Sequence, residues 1–409
     1  MKVSYITYSI PIFFLLIGIE LLFGYLTKKK LYRFNDALTN LNLGIGSQVV
    51  GVMTKGLLFL AYLYLFEHRV YTFENTWWAW VLLFLGVDFF YYWFHRKSHE
   101  INALWAAHIV HHQSEDYNLS VALRQSWFQG WFSWAFYLPL AVIGFDPIMF
   151  AAMNSFNTLY QFWIHTTTIK TMGPLEWIFN TPSHHRVHHG SNPKYIDRNH
   201  AGSLIIWDRL FGTFQKEEEE VVYGITSPLN SWNPVWANFH YWKDLWELSK
   251  KSKGLDKVLV FLKPPGWQPA YLGGFQTPHE IDATTYHKYE ADGLRHDHIY
   301  VFFVFVICLV LGTSVLILKD SLGDIPLYST MFYLLVTLGI CGGLMENKKW
   351  LIPAEYARIF ATLIVAMLFW EHPDFMNIMR GAALFALVNF ILFSRVVKHI
   401  RKQGDVRLV

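Results

Sequence analysis

Apolar residues run in long blocks along this chain, separated by polar and often basic segments. Nine blocks, at roughly 4–26, 44–66, 77–94, 128–145, 147–166, 299–318, 326–345, 355–371 and 379–394, approach bilayer-crossing length. About 20 residues are needed to cover ~30 Å of hydrocarbon, slightly fewer when a helix only just spans. The pattern predicts an all-α integral membrane protein with about nine transmembrane helices. The first block is too long for a removable leader and lacks a small-residue cleavage site.

Basic residues orient these crossings. Lys28, Lys29, Lys30 and Arg33 follow the first block, which assigns that loop to the cytoplasm by the positive-inside rule. Alternation then puts Arg96 and Lys97, the 167–298 stretch, Lys348 and Lys349, and the tail Arg395–Arg407 on the same side. All are basic, whereas the outside loops 67–76 and 319–325 carry few positive charges. The two blocks meeting at Asp146–Pro147 read either as two crossings or as a re-entrant hairpin.

Composition agrees. Only 16% of the 409 residues are charged, against 53% hydrophobic and 18% aromatic; soluble domains carry about 25% charged residues. A formal charge of +3, scattered along the chain, gives no nucleic-acid footprint. Cys308 and Cys341 both sit in apolar runs, which excludes a disulfide framework and a cysteine-ligated metal site. The 167–298 segment is the one sizeable polar region. Within it, Tyr241–Leu248 has helical apolar spacing beside charges, suiting a helix on the bilayer surface or one packed on the polar region. Glu217–Glu220 reads as a solvated acidic turn. No glycine-rich phosphate loop or internal repeat is present.

Histidine is where the chemistry concentrates. Ten of the 19 histidines fall between His95 and His189. They form three groups: His95 with His99; His108 with His111 and His112; and His184, His185, His188 and His189. Spacings of three and four place imidazoles on one helical face, about 5–6 Å apart at Cβ, so two can grip one metal ion. Pro182 suits a first-turn position with Thr181 or Asn180 as cap, so the third group should begin a helix. Eight or more imidazoles exceed one tetrahedral zinc, which points to two ions. Imidazole suits iron, zinc and copper alike.

Other residues join this constellation as candidates. His165, at the end of the fifth block, is an additional ligand candidate. Asp88 lies seven and eleven residues before His95 and His99, on their helical stripe. A carboxylate inside a membrane span is costly and usually functional, so Asp88 is expected to orient a ligand imidazole; bonding to Tyr91 or Tyr92 is the structural alternative. Glu100 reads equally as ligand, base or surface residue. His279, His287, His296 and His298 lack tight pairing and read as background.

The pattern H-x3-H, H-x2-H-H and H-x2-H-H, followed by Trp207–Phe214, resembles the fatty acid hydroxylase/sterol desaturase superfamily over roughly residues 80–215. The resemblance implies a histidine-ligated di-iron centre using O2, with the pattern on His95, His99, His108, His111, His112, His185, His188 and His189. Members with a further H-x3-H match it here at His165 but not at Gln161, which leaves an amide, a water or an open position there. His184 is a possible additional ligand. The stretches Ser114–Ser126 and Gly173–Gly190, with the extra hydrophobic blocks after them, are similar to the alkylglycerol monooxygenase branch. That branch implies tetrahydrobiopterin as reductant and an ether lipid as substrate, giving fatty aldehyde and a glycerol derivative.

Four regions follow: N-terminal transmembrane helices (1–76), a catalytic hydroxylase-like region (77–215), a cytosolic or interfacial segment (216–298) and C-terminal transmembrane helices (299–409). Arg124, Gln125 and Arg186 are candidates for contacts to a head group or pterin, or for pinning helices. Trp207, Trp232, Trp236 and nearby acids are expected to wall a pterin pocket. The alternative is a sterol desaturase or fatty acid hydroxylase fed by a cytochrome or ferredoxin, and more remotely a metal transporter. The membrane would be the inner membrane of a bacterium or the endoplasmic reticulum of a eukaryote, with the site facing the cytoplasm.

Overall fold

The computed structural model describes residues 5–281, 284–291, 297–346, 348 and 350–404. His296, Lys349 and the end of the basic tail lie outside the described residues. Among those described, every regular element is helical; extended backbone is limited to two isolated bridges, Phe179 with Leu204 and Gly190 with Tyr223. The chain divides into two compact units: residues 1–47, 51–230 and 237–289, and residues 48–50, 231–236 and 290–409.

The first unit opens with α1 (Tyr5–Leu26), α2 (Phe34–Glu67) and α3 (Trp77–Glu100). Helix α2 begins ten residues before the apolar block that announced it, because its polar first turns have buried partners. Asn40 Nδ2 donates to Asp36 Oδ2 and Ser120 Oγ, both at 3.0 Å, and Ser114 Oγ donates to Asp36 Oδ2 at 2.6 Å. Helix α3 likewise outruns its apolar block and carries His95 and His99 on its last two turns.

Two short helices follow, α4 (Asn102–Ala106) and α5 (Ile109–His112), then α6 (Gln129–Ile143) and α7 (Pro147–Trp163). Helix α6 stops at Gly144, whose φ of +115° and approach to Tyr71 O, where a Cβ would lie 1.7 Å away, require glycine. Asp146 caps α7, accepting from Ile148 N at 2.8 Å and Met149 N at 3.1 Å. Apolar packing of Leu83 and Val87 of α3 on Leu140 and Ala141 of α6 and Met149 of α7 forms the core beneath the histidines.

The rest of this unit holds α8 (Pro182–His188), α9 (Ile206–Phe211), most of α10 (Pro234–Lys251) and α11 (Asp256–Leu262). Helix α10 takes the packed alternative: Leu245 is buried with Ala106 and Val260, and Tyr241 OH donates to Asn102 Oδ1 at 2.7 Å. The second unit is built on α12 (Asp297–Leu318), α13 (Asp324–Met345), α14 (Leu351–Met367) and α15 (Phe375–Gly404). Within it, Arg358 forms a fully buried ion pair with Glu355, backed by Tyr333 and Asn389.

Among the described residues, five helices are long and apolar enough to cross a membrane by length and composition, namely α1, α3, α12, α13 and α15, and α2 makes a sixth when its two bent halves are taken as one span. The other three expected crossings are the shorter helices α6, α7 and α14, of 15, 17 and 17 residues.

Candidate metal centre

Four segments converge on one buried point. Helix α3 delivers His95 and His99, the α4–α5 turn delivers His108, His111 and His112, the end of α7 delivers His165, and α8 delivers His185, His188 and His189. Pro182 occupies the first turn of α8 with Thr181 as N-cap, as the sequence suggested. All nine imidazoles are buried.

They sort into two groups. His95, His99, His108, His112 and His188 bring one ring nitrogen each within 4.8 Å of one another, and His111, His165, His185 and His189 do the same. The groups adjoin, with the His112 and His189 rings stacked at 4.5 Å. Residues four apart share a group: His95 with His99, His108 with His112, His185 with His189. Residues one or three apart are divided, so that His111 and His112, and His188 and His189, each straddle both groups.

Hydrogen bonds fix how the rings face. The Nδ1–H groups of His95, His111, His165 and His188 donate to the carbonyls of His200, Arg124, Gln161 and Arg198 at 2.7–2.9 Å. His108 Nδ1 donates to Gln129 Oε1 at 3.0 Å, and His99 Nδ1 to the Asp197 carboxylate at 3.2 Å. With Nδ1 holding the proton, Nε2 is left as a lone pair. His95 and His108 then oppose two such lone pairs at 3.0 Å, and His111 and His165 do so at 3.2 Å. No proton lies between them, so each contact is repulsive unless a cation fills it. Two nitrogens at about 2.1 Å from one ion, the usual imidazole–zinc distance, and about 90° apart are separated by about 3 Å. Buried Nε2 atoms of His99, His188 and His189 have no partner at all. Lone pairs set at ligand spacing, with buried nitrogens left unsatisfied, are what a pair of metal ions would complete.

Burial also favours the neutral form of six of these rings. It pushes His108 down to about 3, and His111, His112, His185, His188 and His189 well below the usual imidazole value; neighbouring imidazoles deepen the effect. A neutral imidazole is the form that binds metal.

The remaining candidates fall elsewhere. The hydrogen bonds of Asp88 go neither to a ligand imidazole nor to the tyrosines. Its carboxylate accepts from Asn157 Nδ2 and Ser203 N at 2.7 Å, Trp207 Nε1 at 2.9 Å and Leu204 N at 3.0 Å. It therefore ties the turn after His200 to α3 and α7, acting on His95 only through the His200 carbonyl. Gly202 is required there, because a Cβ would lie 2.8 Å from Asp88 Oδ1. Asp88→Ala strands four buried donors, at about 1–3 kcal/mol each. It is expected to lower the unfolding temperature by several degrees and loosen the metal; an unchanged thermal transition would refute this role.

Gln161 spends its amide on Asn157, donating to O and Oδ1, and serves the centre through its carbonyl on His165. His184 lies outside both groups, with Nδ1 3.5 Å from Thr181 Oγ1 and its ring against Phe214. Glu100 pairs with Arg96 and Lys97. Arg124 and Arg186 are helix pins: Arg124 donates to Val110 O, Asn40 and Gln113, and Arg186 to Glu217 and three carbonyls. Gln125 Nε2 donates to Ala122 O. Trp207 is committed to Asp88, and Trp232 and Trp236 belong to the second unit.

A cavity of about 530 Å³ instead opens mainly onto the five-histidine group and also reaches His189 of the other. Its walls include His99, His112 and His188, the rings of Trp105 and Phe275, and the side chains of Glu100, Asp197, His279 and Glu280. His279, expected to be background, thus borders the site. Sequence reasoning also missed Gln129, Asp197 and His200; no spacing marks them, since they act through acceptor atoms at a helix start, for Gln129, and on a loop, for Asp197 and His200.

The fatty acid hydroxylase family model matches residues 80–213, a span holding all nine clustered histidines. The chain is 39% identical to alkylglycerol monooxygenase of Xenopus tropicalis, covering 96% of this chain and 87% of that protein. It is 38% identical to the Danio rerio enzyme of that name, covering 96% and 88%, and 40% identical to the Homo sapiens one, covering 84% and 78%. No solved structure matches it significantly.

Proposed function

The chain belongs to the alkylglycerol monooxygenase family, and from that premise we propose that it is a membrane-bound di-iron enzyme hydroxylating the ether-linked carbon of alkylglycerol lipids with O2 and tetrahydrobiopterin. The observation that carries the reading is the division of nine buried imidazoles, six of them tethered through Nδ1 to acceptors outside the cluster, into adjoining groups of five and four. In this assignment His95, His99, His108, His112 and His188 hold one iron. His111, His165, His185 and His189 hold the other, and Gln161 and His184 hold neither.

Two irons, when bound, supply electrons to O2 and the oxidising power that an unactivated C–H bond demands. The chain supplies the rest. Carbonyls of loops and helix ends fix four of the rings, Gln129 and Asp197 fix two more, Asp88 secures the loop that carries the His200 carbonyl, and burial keeps water from competing for the ligands. Glu100, held by Arg96 and Lys97 at the cavity wall, is assigned to accept hydrogen bonds from a polar ligand entering there. Hydroxylating the carbon beside the ether oxygen gives a hemiacetal, which collapses to a fatty aldehyde and a glycerol derivative. An alkyl chain can stay among the apolar helices while its head group reaches the polar side. We assign this chemistry to the region 77–215, supported by the 216–298 segment and flanked by the transmembrane regions 1–76 and 299–409.

The test is direct. Purified protein given a 1-O-alkylglycerol, O2 and tetrahydropterin is expected to release long-chain aldehyde, leaving sterols and free fatty acids unaltered. A hydroxylated fatty acid or a desaturated sterol as the sole product would instead place the chain with the other hydroxylases and desaturases of the superfamily.

Nine crossings with the centre on the cytoplasmic side remain our topology, supported by the basic loops. In intact cells an impermeant thiol reagent is expected to label Thr72→Cys and to spare Glu220→Cys until the membrane is opened. Reversed labelling would overturn the orientation.

A further inference from the structure

The loop from Asp197 to His200 orients three of the five imidazoles in one group. The Asp197 carboxylate receives His99 Nδ1–H, the Arg198 carbonyl receives His188, and the His200 carbonyl receives His95. The loop is firmly held. His200 N and Ala201 N donate to the Asp208 carboxylate, both at 2.8 Å, and Asn199 Nδ2 donates to the carbonyls of His184 and Gln215. Asp197 and Asn199 have φ of +57° and +54°, a left-handed backbone that Asp and Asn tolerate best among residues with a Cβ.

These acceptors are not alike. His95, His108, His111, His165 and His188 donate to neutral oxygens. Among the ring acceptors described, the Asp197 carboxylate is the one anion, and it touches the five-histidine group. An anionic partner on Nδ1–H gives the ring imidazolate character, raises the basicity of Nε2 and stabilises the higher charge state of a bound metal. The His99 Nε2 it would act through is buried and has no partner in the protein. Five nitrogens against four add to the asymmetry in the same direction.

Resting on the metal assignment above, we propose that Asp197 is a positioning residue that makes the two metal sites unequal, so that the five-histidine ion is bound more tightly and oxidised first. Its side chain is half exposed and lines the cavity, so the same carboxylate meets whatever enters from that side. A ligand that drew it away from His99 would raise the potential of the adjacent ion.

The test uses full-length protein loaded with ferrous iron, counting metal per chain, resolving the two ions by Mössbauer spectroscopy during a redox titration, and following iron loss to a chelator. Wild type is expected to hold two ions that oxidise in separate steps. Asp197→Asn keeps an acceptor oxygen and tolerates the left-handed backbone while removing the charge. It should raise the lower potential alone and weaken retention of one ion by about 10–100-fold, the usual cost of losing an outer partner of a ligand histidine. Asp197→Glu should restore both. If wild type binds two ions and Asp197→Asn leaves both potentials and both retention rates unchanged, or shifts the two ions equally, the Asp197 proposal alone falls. If wild type binds fewer than two ions, the metal assignment falls and this proposal with it.

Discussion

Alanine at His108, His112 or His188 is expected to remove one metal ion per chain, and alanine at His111, His185 or His189 the other, with turnover falling by at least about a thousand-fold in every case. The two groups adjoin but share no ring nitrogen, so each truncation opens one coordination shell and leaves the other intact. The sharpest comparison is between neighbours. His188 and His189 are adjacent on the chain yet belong to different groups, so their alanine variants should lose different ions, resolved by spectroscopy of the ion that remains. His184→Ala, one residue before a proposed ligand, should keep both ions, because its ring lies against Thr181 and Phe214. His287→Ala should be nearly silent. If the His188 and His189 variants lost the same ion, the division into five and four would be wrong.

That division shows where sequence spacing informs and where it stops. Spacing identified eight of the nine rings because a helix repeats every 3.6 residues, and residues four apart stay on one face, while His165 was marked by its place at the end of an apolar block. It could not assign a spacing of three. On the short α5 turn, His108 and His111 diverge to opposite groups, and in α8 so do His185 and His188. Helix extent was misjudged where polar residues find partners inside the protein: Asp36 and Asn40 begin α2 well before its apolar block, because Ser114 and Ser120 meet them. The outer acceptors were invisible for a different reason. Four of the six are backbone carbonyls, whose placement depends on how a loop folds and leaves no signature in residue type. Asp88 stood out in the sequence as a carboxylate within an apolar block, but its partners did not, because they arrive from more than 60 residues away in sequence.

The cavity bears on the electron source, where a second large effect is expected. A dinucleotide-dependent enzyme needs a glycine turn at a helix N-terminus to cradle its phosphates, and none occurs in the polar segment. A tetrahydropterin is small, flat and rich in hydrogen-bond donors. Trp105 and Phe275 offer ring faces, and Glu100, Asp197 and Glu280 offer carboxylate acceptors, around a space of about 530 Å³ that reaches the five-histidine group. Tetrahydropterin alone is therefore expected to sustain repeated aldehyde formation from an alkylglycerol, with no reductase protein present. Phe275→Ala should raise the KM for pterin by about 2–10-fold, the worth of one aromatic contact of about 0.5–1.5 kcal/mol, while both metal ions stay bound. Phe275 is not among the proposed metal ligands, so loss of metal in that variant would point to collapse of the wall instead of a missing contact. The opposing experiment supplies NADPH with a cytochrome-type reductase. If that mixture turns over and tetrahydropterin does not, the cavity is not a pterin site, and electrons reach the metals through a partner protein docked on the polar face.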